Sequence, residues 1–296
     1  MCRGMRHSQA EPITERKGWV VAVLVASTAG FCSSLTGLGG GLLLVSTLTA
    51  VLGYPVKRAI GSSLATMAFV SLVGCLAGLE VGGASIQWRW LALLAAGSLL
   101  GAVAGSGIAL RIPELPGRTG MALVPPAACL LLFGVAWAAT DDRLMGTIPS
   151  VVGPLFILIL GGIAGLVSVL FGLDGGLVFV PALALLCGGL PFEAVRATSL
   201  AAMVPAAALG AHRYARMGHV DGGRALIPAG LAGAVLGVAA ASVLPVWVCR
   251  VALAVLLFPV ALPLFALARQ LVAVVTRHRW QPAPDGAGRR GEPNAS

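Results

Sequence analysis

Residues 30–45 read GFCSSLTGLGGGLLLV, and residues 165–180 read GLVSVLFGLDGGLVFV. Laid over one another they agree at nine of sixteen positions: Gly30/Gly165, Ser33/Ser168, Leu35/Leu170, Gly37/Gly172, Leu38/Leu173, Gly40/Gly175, Gly41/Gly176, Leu42/Leu177 and Val45/Val180. With one residue inserted the correspondence continues. Pro55 meets Pro191, Ser62 meets Thr198, Ser63 meets Ser199, Leu64 meets Leu200, Met67 meets Met203 and Gly74 meets Gly210. Shared Gly and Leu alone are common in apolar sequence. Shared spacing of Gly, Pro and Ser/Thr over this length marks a duplicated unit. The chain therefore reads as two homologous halves, 18–139 and 150–275, joined by a linker over 140–149 that carries Asp141-Asp142-Arg143. A tail over 1–17 precedes them. A polar, Gly- and Pro-rich tail over 276–296 follows, and its composition predicts disorder.

The surroundings of the repeat set the fold class. The 296 residues are 58% apolar and 10% charged, too few charges to keep a soluble fold wet. Charge-free runs cover 18–56, 59–79, 90–110, 119–140, 144–173, 175–192, 197–212, 225–249 and 251–268. A helix needs about 20 apolar residues to cross the hydrocarbon core, and most of these runs suffice. The run 18–56 is too long for one helix, and Gly37-Leu38-Gly39-Gly40-Gly41 divides it into helices over 18–36 and 42–52. The second copy divides near Gly172 into 150–171 and 176–187. The expectation is an all-α polytopic membrane protein with eight long transmembrane helices and two short ones.

Charge placement orients the chain. The net charge of +9 is concentrated at the two tails, which points to a positive-inside pattern rather than nucleic-acid binding. Both termini are placed in the cytoplasm. If the short segments cross, each half has five crossings, and the halves are inverted; if they re-enter, the halves are parallel. The Lys/Arg asymmetry is larger with ten crossings, and Lys57 and Arg58 make the difference. The apolar start resembles a signal peptide, but it belongs to the repeat and is expected to be retained. The six cysteines form no CxxC pair and read as membrane-buried hydrophobes, with no metal or cofactor site.

The glycine breaks carry the functional expectation. Broken helices at membrane depth are tolerated where protein or a water-filled cavity surrounds them. A short helix beginning at Gly40-Gly41 or Gly175-Gly176 presents free N–H groups and a positive dipole end, which suit an anion. Paired interruptions at corresponding places point to a transport site. The candidate substrate-binding residues are Gly37, Gly39, Gly40, Gly41, Ser62 and Ser63 in the first half. In the second they are Gly172, Asp174, Gly175, Gly176, Thr198 and Ser199. Asp174 replaces Gly39 of the first copy and has two readings, a cap on the short helix or a carrier of a coupling proton. Arg196 reads first as a side chain snorkelling to the interface, with pairing to Asp174 and attraction of substrate as the alternatives. The rows Gly97-Gly101-Gly105 and Gly233-Gly237 read as helix-packing surfaces.

The segments GLGGGLLLVSTLTAVLGYPVKRAIGSSLA and GLDGGLVFVPALALLCGGLPFEAVRATSLA resemble the paired signatures of the sulfite exporter TauE/SafE family of bacterial membrane permeases. The resemblance implies secondary transport of small anions, often sulfur oxyanions or organosulfonates, across the inner membrane. It puts the family's glycine signatures on Gly37, Gly39, Gly40, Gly41, Gly172, Gly175 and Gly176. Its Pro and Ser/Thr positions fall on Pro55, Ser62, Ser63, Pro191, Thr198 and Ser199. Asp174 stands where a small residue is usual, and Ser46 stands where the second copy keeps Pro181. The expected partners are the anion and the lipid bilayer, with a homo-oligomer left open. Two other classes compete: a non-transporting membrane scaffold or assembly protein, and an intramembrane enzyme. The latter lacks GxSxG, HExxH or paired carboxylates in any span.

Overall fold

The computed structural model describes residues 16–50, 52–81, 85–111, 152–172, 174–186, 190–221, 223–245, 247–249 and 251–252. Residues 1–15, the linker, the helix expected over 119–140, all but 251–252 of the one expected over 251–268 and the C-terminal tail lie outside these residues, and 16–17 of the expected N-terminal tail belong to the first helix. Every regular element among the described residues is an α-helix. Within lipid a helix pairs its own backbone groups, which an open strand does not.

The helices are α1 (Arg16–Thr36), α2 (Gly41–Ala50), α3 (Val56–Val81), α4 (Trp88–Arg111), α5 (Val152–Phe171), α6 (Gly176–Leu186), α7 (Phe192–Arg216) and α8 (Gly223–Val243). The glycine clusters split the long runs as the sequence predicts, with α2 and α6 as the short pieces. Among the described residues five helices are long and apolar enough to cross a membrane: α3, α4, α5, α7 and α8. Charge-free runs bounded α7 too tightly. The helix takes Glu193 and Arg196 into its first two turns and continues to Arg216. Pro205 and Pro228 lie inside α7 and α8 without ending them.

The two halves are interleaved. α1 lies along α8, and α4 lies along α5, so each outer helix packs on the other half. Both contacts are made of glycine against backbone. Gly233 and Gly237 face the carbonyls of Ser27 and Phe31, while Gly97, Gly101 and Gly105 face those of Leu158, Gly162 and Leu166. A Cβ at these glycines would overlap the neighbouring carbonyl, so the rows serve close packing. The rising numbers on both sides make each pair parallel.

α3 and α7 form the centre and run oppositely. Gly61 meets Tyr214, Leu64 meets Gly210, Gly74 meets Leu200, and Gly78 meets Arg196. Each short helix is buried in its own apolar cluster. Leu44, Val45 and Leu48 of α2 join residues of α1, α3 and α8. Val178, Phe179 and Leu183 of α6 join Ile157, Leu160, Val195 and Met203. The outer surface carries exposed Val20, Leu24, Phe69, Leu76, Leu100, Leu155, Ile159 and Leu236, the side chains a lipid-facing wall requires.

Candidate functional site

Both long helices that precede the breaks end in the same way. Gly37 and Gly172 have φ of +75° and +68°. Their N–H groups donate to the carbonyls of Ser33 and Ser168, each at 2.8 Å. This is a left-handed cap that only glycine enters without strain. The two breaks then run past each other in opposite directions. Gly37 lies against Gly176, Gly39 against Asp174, and Gly41 against Gly172.

At the middle of this crossing Gly39 has φ of +88°, and its missing side chain is the space that Asp174 fills. Asp174 is 4% exposed. Its Oδ2 accepts the Gly41 N–H at 2.7 Å. Asp174 therefore caps the short helix of the opposite half, α2, and not α6, which follows it in sequence. Among the described residues its Oδ1 has no hydrogen-bond partner.

The paired hydroxyls tie the halves reciprocally. The Ser199 hydroxyl donates to the Gly37 carbonyl at 3.0 Å. The Ser63 hydroxyl reaches the Gly172 carbonyl at 3.5 Å and that of Gly41 at 3.3 Å. Their neighbours pin helix starts instead. Ser62 Oγ accepts the Asp221 N–H at 2.8 Å, just ahead of α8. Thr198 Oγ1 accepts the Gln87 N–H at 3.2 Å, just ahead of α4. Gly40 rests on the Ala29 backbone, and Gly175 rests on the Phe179 ring. Ten of the twelve sequence-predicted residues thus gather at the crossing, and Ser62 and Thr198 stand outside it.

Charge placement departs from the sequence expectation at Arg196. It does not snorkel: it is 3% exposed and lies inside the protein. Its Cγ borders Gly37, and its Nη2 is 4.0 Å from where a Gly78 Cβ would sit. Glu193, one turn earlier, and Cys249 flank it. Among the described residues it makes no hydrogen bond or ion pair; the Arg58–Asp221 pair is elsewhere, where α3 and α8 begin. The hydroxyls of Ser33, Ser34 and Ser71 are also buried without hydrogen-bond partners among the described residues. An unpaired buried cation is costly, several kcal/mol by general estimates of about that order. Sequence reasoning weighed Arg196 but favoured the interface because it sits near a segment start, and it passed over the three serines because lone serines in apolar runs usually bond to their own helix.

The family model described as Sulfite exporter TauE/SafE matches residues 1–138 and 157–293. None of the curated proteins and none of the solved structures compared with the chain matches it. With the apolar helices, the paired glycine breaks and a family match over nearly all its length, the chain belongs to the sulfite exporter TauE/SafE family of multi-pass membrane transporters.

Proposed function

We propose that the protein is a secondary transporter that moves a small anion, sulfite or an organosulfonate, across the bacterial inner membrane. The observation that carries this reading is Arg196, a buried cation that makes no ion pair or hydrogen bond among the described residues, with Glu193 one turn away, beside a broken helix. Structural cations inside membranes are normally paired, and an unpaired one marks a substrate path. The crossed breaks supply the second element of such a path, irregular backbone held within protein.

The two halves are inverted in this reading. Support comes from α3 and α7, corresponding helices that run in opposite directions. Each break with its short helix carries the chain back across. α2 has 10 residues and spans about 15 Å, half of a hydrocarbon core of roughly 30 Å. Orientation follows from charge. Arg16, Lys17, Lys57, Arg58, Arg111, Arg213, Arg216 and Arg224 stand where α1, α3 and α8 begin and α4 and α7 finish. Glu80, Arg89 and Glu193 stand at the other end. The positive-inside rule favours the basic end as cytoplasmic, together with the N-terminus.

Purified protein in proteoliposomes, given labelled sulfite or an organosulfonate under an imposed anion or proton gradient, tests the proposal. Saturable flux that empty vesicles lack is the expected result. No movement of either anion under any gradient would refute it.

A further inference from the structure

The repeat relates each residue of α3 to one of α7, and the relation exposes a difference between two equivalent places. Around Gly210 of α7 lie Leu64 and Val169. Around the equivalent Gly74 of α3 lie Leu200 and Ser34, whose position corresponds to Val169. One turn further along α7 comes Tyr214, 3% exposed, with its hydroxyl donating to the Val169 carbonyl at 3.1 Å. A large aromatic ring thus fills this place. The residue corresponding to Tyr214 on α3 is Gly78, which is buried. A Cβ at Gly78 would meet nothing among the described residues except Arg196 Nη2, at 4.0 Å.

The other correspondences change in the same sense. Arg196 corresponds to Ile60, and the two sit alike, Arg196 against Gly37 and Ile60 against Gly172. Ser71, on the Gly74–Gly78 face of α3, corresponds to Ala207. One place is therefore packed with Ile60, Val169, Ala207 and Tyr214. Its equivalent holds Arg196, Ser34, Ser71 and Gly78. There, among the described residues, the two serine hydroxyls are buried without hydrogen-bond partners, and the guanidinium makes no ion pair, with Glu193 one turn away.

We propose that this second place is the anion-binding site, and that it takes a small oxyanion. The Arg196 guanidinium supplies the charge and two parallel N–H donors, Ser34 and Ser71 supply hydroxyl donors, and Gly78 supplies the room. A planar fork of donors fits a pair of oxygens on one central atom. Arg196 borders Gly37 at one end of the crossing, and Gly41, whose N–H is already taken by a carboxylate, lies at the other. The proposal rests on the anion-permease reading and names where its substrate sits.

The test uses full-length protein and sulfite as the probe, with two readouts: thermal stabilisation by sulfite in detergent, and flux in proteoliposomes. Arg196→Ile copies the residue at the equivalent position. A buried unpaired charge replaced by an apolar side chain leaves stability without anion equal or higher. The expected result is that stability, with sulfite binding at least about 30-fold weaker and Arg196→Lys intermediate. A merely structural arginine would give the opposite order, with Arg196→Ile less stable and sulfite affinity unchanged. Gly78→Tyr fills the space as Tyr214 does and is expected to abolish both readouts. Should that variant fail to fold, Gly78→Ala, whose Cβ meets only Nη2, is expected to weaken binding several-fold. Wild-type flux with undiminished binding in Arg196→Ile and Gly78→Ala overturns the site and leaves the permease reading standing. Wild-type protein that neither binds nor moves sulfite or an organosulfonate overturns that reading and the site with it.

Discussion

Replacing Asp174 by alanine removes the carboxylate that closes α2 from the other half of the molecule. The Gly41 N–H, bonded to Oδ2 at 2.7 Å in a buried setting, then has no acceptor. An orphaned buried donor costs about 1–3 kcal/mol. Loss of an N-terminal cap gives a similar figure, about 0.5–2 kcal/mol. These are two measures of one bond and do not add. Relief from burying a carboxylate whose Oδ1 is unpartnered offsets part of the loss. Asp174→Ala is therefore expected to lose about 2 kcal/mol, roughly 30-fold in the folded-to-unfolded ratio. Asp174→Asn keeps a carbonyl oxygen for the same N–H and is expected to fall within about 1 kcal/mol of wild type. Unfolding in mixed micelles, followed by tryptophan fluorescence, reads both. Equal stability of Asp174→Ala and wild type would refute the cap. Equal damage from asparagine and alanine would show that the acceptor is not what matters.

Gly39→Ala forces a side chain onto the Asp174 Cβ at a φ of +88°, so it should abolish folded yield in membranes, and adding Asp174→Gly should restore part of it. Ser63→Ala and Ser199→Ala each remove one bond between the halves and should each cost about 1 kcal/mol in the same unfolding assay, with similar values because their places are equivalent. Gly233→Val drives a branched side chain into the Ser27 carbonyl and should prevent α1 from closing on α8, seen as loss of monodisperse protein in gel filtration. Gly107→Ala, with nothing within 4 Å of its Cβ position, should leave the elution unchanged and gain about 0.5–1 kcal/mol from helix propensity.

Both breaks were legible to within a residue, because an uninterrupted apolar run leaves glycine as the natural place for a helix to end. The short helices followed directly from them. The packing role of Gly97, Gly101, Gly105, Gly233 and Gly237 was legible too, since their spacing fixes a single helix face. What each face meets was not: the sequence does not say that α1 joins α8 and α4 joins α5. The same gap explains Asp174. A cap is normally sought on the helix that follows, and here the neighbour in space belongs to the other copy. Arg196 was misread for a different reason. Treating charges as segment ends puts it at the interface, whereas α7 begins four residues earlier and carries it inward. Its significance appears only when Ile60, Gly78 and Tyr214 are compared in three dimensions.

The meeting of Gly39 and Asp174 also constrains how such a chain can have arisen. A single half, encoded alone and assembled as a pair of oppositely inserted copies, would carry one residue type at both positions. Aspartate at both would bring two carboxylates onto one spot, colliding and repelling. Glycine at both would leave both short helices without this carboxylate. Only when the two copies are encoded separately can one position keep the hole while the other carries the side chain that fills it. The same holds for Gly78 and Tyr214, where one place was closed and its twin left open. Separate encoding of the two halves is thus what lets equivalent places of the chain differ from each other.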